Sequence, residues 1–148
     1  MAASDVKLLG KGIELYRGDG ASPEVFTKVE NVSEFPEAPS SLRDLVEDTD
    51  HDSPGTDKEY LLGLGDGNQI ATVINWRNTS QQNRLLTDKN NGTERNFRLD
   101  FPMFSPTVSL SFTALVRGWD PIPNINGPLQ IRVTLKVTGS VTPTGLTA

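Results

Sequence analysis

The chain has 148 residues, a formal net charge of −5, 35% hydrophobic residues, 13 glycines, 10 prolines and no cysteine. This length suits one domain with its own core, and the missing cysteines exclude disulfides and thiolate metal sites. The chain lacks both the run of about 18 apolar residues that spans a membrane and the basic cluster with aromatic residues that binds nucleic acid tightly.

Strand patterns begin shortly after the N-terminus. Residues 1–10 are expected to form a flexible leader, without the apolar run of a signal peptide. Residues 12–20 (GIELYRGDG) predict a strand that ends in a glycine-rich turn, and residues 24–32 (EVFTKVENV) predict a second strand. Periodicity then stops, and residues 34–57 predict a loop longer than compact domains usually contain.

Acidic residues are concentrated in this predicted loop. Residues 34–59 carry nine acidic side chains against two basic ones. Asp48, Asp50 and Asp52 alternate as in a helix–loop–helix calcium site, but Ser53 stands at the position that needs glycine for the sharp turn. The pattern therefore favours a solvated acidic loop over a specific calcium site, and a weak cation contact stays open.

Enzymatic motifs are not evident in the middle of the chain. His51 is the only histidine, and it lies in the acidic loop, where a nucleophile and an orienting acid are not expected to converge on it. The stretches Tyr60–Leu64 and Gln69–Ile74 predict two strands, and residues 65–68 (GDGN) predict the hairpin turn between them. Because a phosphate-binding glycine loop connects a strand to a helix, these glycines favour the hairpin.

One helix is predicted. Thr79 and Gln82 have the spacing of a capping box before SQQNRLLTDK. Asn90, Asn91 and Gly92 then form a stop signal.

The C-terminal half alternates apolar and polar residues with a period of two over residues 94–101, 108–119 and 129–141. Such strands bury one face, so the predicted fold class is mainly β: an antiparallel β-sandwich or partial barrel with one short α-helix and one long loop. Residues 141–148 are expected to be flexible. The predicted core residues are Phe97, Leu99, Phe101, Leu110, Phe112, Ile131, Val133 and Leu135.

Three functional hypotheses follow from the residues. Trp76 and Trp119 favour a place at the core edge or in an interface, with a sugar-stacking platform of a small carbohydrate- or ligand-binding module as the alternative. An enzyme using the acidic loop is the weakest hypothesis. A structural role is favoured, because a β domain with unpaired sheet edges can join identical copies into a closed ring.

The motifs resemble one protein family in their order along most of the chain. The stretches GIELYRGDG, EVFTKVENV, DLVEDTDHDSPGTDKEYLLGL, SQQNRLLTDKNNGTERNFRLDFP, FTALVRGWDP and LQIRVTLKVTGSV resemble the major tail tube proteins of long non-contractile-tailed, siphovirus-type bacteriophages. The resemblance implies a single tail-tube domain over residues 1–148, with no enzymatic activity and no cofactor or metal.

The resemblance also implies how the protein works. Six copies would form a ring, and rings would stack helically into a tube that lets double-stranded DNA pass without tight binding. Further partners would be other tail proteins: the tape measure, the tail terminator and the baseplate or tip. The protein would be assembled in the cytoplasm of the host bacterium, become part of the virion tail and involve no membrane.

Two sets of residues receive roles from the resemblance. Residues 34–57 would reach the adjacent ring, through Glu34, Glu37, Leu42, Arg43, Asp44, Glu47, Asp48, Asp50, Asp52 and Asp57. A net-acidic lining would keep the channel free of bound DNA, and the candidate lumen residues are Glu94, Asn96, Arg98 and Asp100.

Overall fold

The computed structural model describes residues 12–48, 58 and 60–147. Strands dominate this part of the chain, and one helix interrupts them. In chain order the elements are β1 (Glu14–Gly18), β2 (Phe26–Lys28), β3 (Val32–Glu34), β4 (Ser41–Glu47), β5 (Tyr60–Gly67), β6 (Gln69–Asn75), α1 (Ser80–Asn91), β7 (Glu94–Phe101), β8 (Val108–Ile122) and β9 (Gln130–Thr144).

Two antiparallel sheets contain these strands. Seven strands form the main sheet in the order β2-β1-β7-β8-β9-β6-β3, and β4 pairs with β5 in a separate two-stranded ribbon. The predicted fold class is confirmed: the protein is mainly β and antiparallel, with one short helix.

The main sheet curls so that its two edge strands are consecutive in the chain. Residues 29–31 connect β2 to β3 and bond to both sides of the gap: the Val29 amide donates to the Leu15 carbonyl, and the Asn31 carbonyl accepts from the Asn75 amide, both at 2.8 Å. Asn31 adopts φ 63°, a left-handed conformation that asparagine tolerates better than most residues. This connection makes the sheet a partial barrel.

The apolar side chains of alternating strand positions fill the barrel. Phe97 of β7 stacks against Phe112 of β8, with ring centroids 5.7 Å apart. Of the predicted core residues, Phe101 and Leu110 are partly buried against the core. The others are buried within it: Phe97, Leu99, Phe112, Ile131, Val133 and Leu135.

Helix α1 begins and ends where the sequence predicts and packs against β8. Thr79 is its N-cap, and Gly92 follows its last residue in the left-handed conformation. The fully buried side chain of Gln82 joins the helix start to the sheet: Oε1 accepts from the Arg77 amide at 2.9 Å, and Nε2 donates to the Glu30 and Asn75 carbonyls at 2.9 and 3.0 Å.

The other end of α1 is held by buried charges that the sequence analysis does not identify. Asp88 accepts two hydrogen bonds from the Arg17 guanidinium, at 2.7 and 2.8 Å, and one from Arg95 Nε at 3.0 Å. Arg17 and Asp88 are both buried. Because a buried carboxylate without such partners is strongly destabilising, this network fixes the helix on β1 and β7.

Three sequence predictions about local structure are wrong. Residues 41–47 form β4 rather than part of a loop over residues 34–57, because they pair with β5. The GDGN stretch is not a hairpin turn: β5 extends through Gly67, and β6 starts at Gln69 in the other sheet. The strand predicted over residues 24–32 is limited to β2 (Phe26–Lys28), and β3 begins only at Val32.

The C-terminal end also differs from expectation. Residues 141–144 belong to β9 and pair with β8, from Ser111 opposite Thr142 to Ser109 opposite Thr144, so they are not a flexible tail. The leader over residues 1–10 lies outside the described residues, as does the tip of the predicted acidic loop over residues 49–57.

Candidate functional site

The β4–β5 ribbon is attached to the barrel through Asn68. The Asn68 amide donates to the Ser40 carbonyl, and Asn68 Oδ1 accepts from the Ser40 amide, both at 3.0 Å. Asn68 Nδ2 donates to the Ala38 carbonyl at 3.1 Å, and the Asn68 carbonyl accepts from the Val137 amide at 2.9 Å. One residue therefore ties both ends of the ribbon to β9.

Neighbours of Asn68 strengthen this attachment. Lys136 Nζ donates to Asp66 Oδ1 at 3.1 Å and also to the Gly67 carbonyl. Any Cβ at position 67 would collide with the Val137 carbonyl, so only glycine permits the backbones of β5 and β9 to approach this closely. Gly67, which resembles a turn residue in the sequence, is needed for this contact.

The ribbon exposes large apolar side chains. Leu64 and Leu42 are 85% and 81% exposed, which is unusual for residues in regular strands. A contiguous apolar surface of this kind marks a binding surface in a soluble protein. The other exposed apolar members are Leu45, Val46, Tyr60, Leu61 and Leu62.

Both faces of the ribbon carry apolar pairs. Leu45 lies opposite Leu62 and Val46 lies opposite Leu61, and residues directly opposite one another point to the same face. Neither pair is buried by the described part of the barrel, since all four residues are at least 50% exposed. A two-stranded ribbon alone is marginally stable in water, so this one has surface that a partner can bury.

Arg43 stabilises the irregular middle of the ribbon. The register shifts between Arg43 and Leu45, and the Arg43 guanidinium donates to the Leu62 and Gly63 carbonyls at 3.1 and 3.0 Å. These bonds satisfy carbonyl groups close to the register shift.

Seven of the ten residues predicted to reach an adjacent ring lie in the described part of the chain, and four of them lie in the ribbon. Glu34 ends β3, Glu37 lies in the connection to β4, and Asp48 follows β4; all three are exposed. Asp50, Asp52 and Asp57 lie outside the described residues. Within β4 itself the structure places Leu42, Arg43, Asp44 and Glu47, all exposed.

Half of β9 has an open edge next to the ribbon. β8 pairs with β9 as far as Thr144, whereas β6 pairs with β9 only up to Lys136. Among the described residues, no strand pairs with positions 138–144 on the β6 side. A cleft of about 420 Å³ separates this edge from the ribbon, lined by Ser41, Arg43, Gly65, Gly139, Ser140 and Val141.

The candidate lumen residues share the polar face of β7 and bond to neighbouring strands. Asn96 Oδ1 accepts from Thr113 Oγ1 at 2.7 Å. Asp100 Oδ1 accepts from Ser109 Oγ at 2.8 Å and from Arg98 Nε at 2.9 Å. Glu94 accepts from the Thr138 hydroxyl. These side chains form one hydrogen-bonded polar layer.

Arg98 is also held from the side. Its guanidinium lies over the Tyr16 ring, 4.4 Å from the centroid, and 5.3 Å from the centroid of Phe26. A guanidinium stacked on aromatic rings and bonded to a carboxylate is fixed in place, and its charge is partly neutralised.

Charges of both signs share this polar face, as the strand register shows. Several are paired: Glu14 lies 3.0 Å from Lys28 Nζ, and Arg117 donates to Gln69. The face therefore carries acidic and basic side chains in similar numbers, and the net-acidic lumen that the resemblance implies stays a prediction. Its acidic members are Glu14, Glu34, Glu94, Asp100 and Asp120, with Glu24 bonded to Asn96, and its basic members are Lys28, Arg98, Arg117, Arg132 and Lys136.

The two tryptophans do not form a flat platform. Trp76 and Trp119 meet edge to face, with centroids 5.4 Å apart and ring planes at 85°. Trp119 Nε1 donates to the Gln82 carbonyl at 3.1 Å, and Trp76 Nε1 donates to Asn83 Oδ1 at 3.4 Å. Both rings pack against the core and hold α1, which leaves the carbohydrate-module alternative without a stacking surface.

The described part of the chain contains no group of three or more His, Cys, Asp or Glu side chains placed to hold a metal ion. Of the calcium-like spacing, Asp50 and Asp52 lie outside that part. Over the same residues, no helix is both long and apolar enough to span a membrane.

Comparisons with solved structures identify the fold. In the tail of an empty gene transfer agent particle, refined with helical and C6 symmetry, one chain has a TM-score of 0.73 at 16% identity; 94% of this chain covers 100% of that one. A chain of the native gene transfer agent virion gives 0.71 at 16% identity and the same coverage.

The SPP1 tail tube, solved by solid-state NMR and cryo-EM, gives a TM-score of 0.68 at 13% identity, over 96% of this chain and 81% of that one. Neither a protein-family model nor a curated protein sequence matches the chain. The chain thus has the fold of tail tube proteins, at identities that show the fold alone.

Proposed function

We propose that this protein is the structural subunit of a tail tube of the siphovirus type, and not an enzyme. Copies form closed rings, rings stack helically, and the resulting tube is a passive conduit for double-stranded DNA during ejection. The observation that carries the proposal is the exposed apolar ribbon on a barrel with the tail-tube fold. In a monomer the apolar side chains of the ribbon would remain exposed to water.

The open half of β9 supports lateral assembly. Its free backbone groups can pair with a strand from a neighbouring copy, which would remove the edge from solvent. A head-to-tail contact of this type produces a closed ring when the rotation from one copy to the next is a whole fraction of 360°. Six copies per ring is the number we propose, supported by the C6 symmetry of the gene transfer agent tail.

The ribbon is assigned to the contact between rings. It extends from the barrel at Asn68, and burial of its exposed leucine and valine side chains by another surface would be favourable. Burying an aliphatic side chain of this size contributes about 1.5–3 kcal/mol, so a few such contacts repeated around a ring would hold a stack together.

The polar face of the main sheet is assigned to the lumen, which includes Glu94, Asn96, Arg98 and Asp100. Binding of DNA depends mainly on free Lys and Arg side chains that neutralise phosphates. On this face Arg98 and Lys136 already have carboxylate partners at 2.9 and 3.1 Å. Lys28 is paired with Glu14 in the same way, so DNA would slide past because three of the five basic groups already have carboxylate partners.

Location and further partners follow from this role. We place the protein in the virion tail as a single tail-tube domain, assembled in the cytoplasm of the host bacterium. A tape measure protein would occupy the tube before DNA does, and a tail terminator and a baseplate or tip would cover its ends.

Electron microscopy of purified protein tests the proposal. Concentrated wild-type protein is expected to form rings and tubes with a central channel. The double variant Leu45→Thr/Leu62→Thr keeps strand propensity but removes an apolar pair, so it is expected to remain monomeric or stop at single rings. Val25→Thr, at a residue 58% exposed outside the ribbon, is the matched control. Wild-type protein that stays monomeric at all concentrations would refute the proposal.

A further inference from the structure

The connection between β8 and β9 presents an apolar residue to solvent in a fixed conformation. Ile125 is 99% exposed. Asn124 Oδ1 accepts from the Asn126 amide at 3.2 Å, which closes a local turn, and prolines at 121, 123 and 128 restrict the flanking backbone. A single exposed isoleucine is ordinary, but one held on a rigid turn is already arranged for binding.

This connection lies at the opposite end of the molecule from the ribbon. The β6–β9 ladder runs from Gln69 opposite Lys136 to Asn75 opposite Gln130, where the connection begins. The ribbon leaves from Asn68 and runs the other way, with Gly65 beside Gly139–Val141. The fifteen residues of β9 extend over roughly 45 Å between the two ends.

Charge indicates which surface can accept the ribbon. Residues 44–59 contain seven acidic side chains and one basic one, so two ribbons facing each other would repel. The end that carries Ile125 instead exposes three arginines and three acidic residues, so its charge is balanced and it would not repel an acidic ribbon. The six are Arg77, Arg84, Arg132, Glu30, Glu34 and Asp120.

We propose that the ribbon of one copy docks on the β8–β9 connection (residues 123–129) of a second copy in the adjacent ring, with Ile125 packed against the Leu45–Leu62 pair. The inference rests on the proposed function and names the surface that receives the ribbon. Because the two contact surfaces differ and lie at opposite ends, the contact is head-to-tail and repeats without closing. A tube built from this contact therefore has two different ends.

Site-directed cross-linking tests this contact directly, since the chain has no native cysteine. Tubes assembled from an equal mixture of Leu45→Cys and Ile125→Cys proteins are treated with a mild oxidant or a short thiol cross-linker. We expect dimers whose linked peptides contain positions 45 and 125. The double variant Leu45→Cys/Ile125→Cys is expected to give a ladder of higher oligomers.

The matched control replaces Ile125→Cys by Val25→Cys, which sits in the β1–β2 connection away from both ends. We expect no cross-link between positions 25 and 45. Tubes that form without a 45–125 link, or that link 25 to 45 equally well, would overturn this inference while leaving the proposed function intact. Failure of the wild type to form tubes would instead refute the proposed function.

A second measurement uses assembly itself. Ile125→Ser removes the apolar contact and is expected to raise the protein concentration needed for tubes at least about tenfold, while rings still form. Val25→Ser is expected to behave as the wild type. An Ile125→Ser protein that forms tubes at the wild-type concentration would contradict the proposal.

Discussion

Asn68 and Ser40 exchange two hydrogen bonds of 3.0 Å each, one from the Asn68 amide and one to the Asn68 side-chain oxygen. This pair brings together the point where the chain enters the ribbon and the point where it leaves. The direction of the ribbon therefore depends on one short polar side chain.

Substitution of this side chain is the first prediction. Asn68→Ala removes the side-chain bonds to the Ser40 amide and the Ala38 carbonyl but keeps the backbone bonds to Ser40 and Val137, so the barrel is expected to lose only about 1–2 kcal/mol of unfolding free energy. Hydrogen exchange in residues 41–47 and 60–67 is expected to accelerate, and tubes to become rarer. Asn90→Ala, at the exposed end of α1, is the control; equal exchange in both variants would contradict the anchoring role.

The second prediction concerns the buried charges under α1. Asp88→Asn leaves the Arg17 guanidinium buried without a carboxylate, so the unfolding free energy measured in urea is expected to fall by about 3–5 kcal/mol. Lys28→Ala breaks an exposed pair with Glu14 instead, and its loss is expected to stay below about 1 kcal/mol. Similar losses in the two variants would show that burial does not set the strength of the Asp88 pair.

The third prediction is a dependence on pH. Hydrogen bonds from the Ala21 and Val25 amides, at 2.9 and 3.1 Å, hold the pKa of Asp19 below its ordinary value of 3.8. Because the folded-state pKa is lowered, the stabilisation by this carboxylate is present above about pH 4 and is lost as the pH falls through the folded-state pKa.

Thermal unfolding between pH 6 and pH 2.5 measures that contribution. The advantage of the wild type over Asp19→Asn is expected to shrink as the medium becomes more acidic in the lower part of this range. A difference in Tm that is constant over the whole range would show that Asp19 does not act through its charge.

The fourth prediction concerns DNA. Glu94→Gln/Asp100→Asn neutralises two carboxylates of the polar face and leaves Arg98 without its anionic partner. Binding of a short DNA duplex, followed by fluorescence anisotropy, is expected to strengthen several-fold at low salt and to weaken as salt rises. Asp44→Asn/Glu47→Gln changes the net charge equally but in β4, outside that face; if it strengthens binding as much, net charge rather than local pairing controls DNA affinity.

The sequence predicts the barrel strands well because each has one buried and one polar face. The run from Gln130 to Thr138 alternates strictly, and the helix from Ser80 to Asn91 has both a cap and a stop signal. In these segments local pattern and tertiary environment agree.

The ribbon could not be predicted in the same way. Residues 41–47 (SLRDLVE) have no alternation, because neither face of β4 is buried by the described part of the chain. Gly65 and Gly67 resemble turn residues, yet Gly67 is required by the approach of Val137. The Asp88 network was also missed, since Arg17 and Asp88 are 71 positions apart in the chain. Only the fold brings them together.

The short connection over residues 29–31 has a wider consequence. Because only three residues separate β2 from β3, the two edge strands of the main sheet cannot move apart while the chain is folded. In the proposed tube each barrel would then behave as a rigid unit, and bending of the tube would take place between rings.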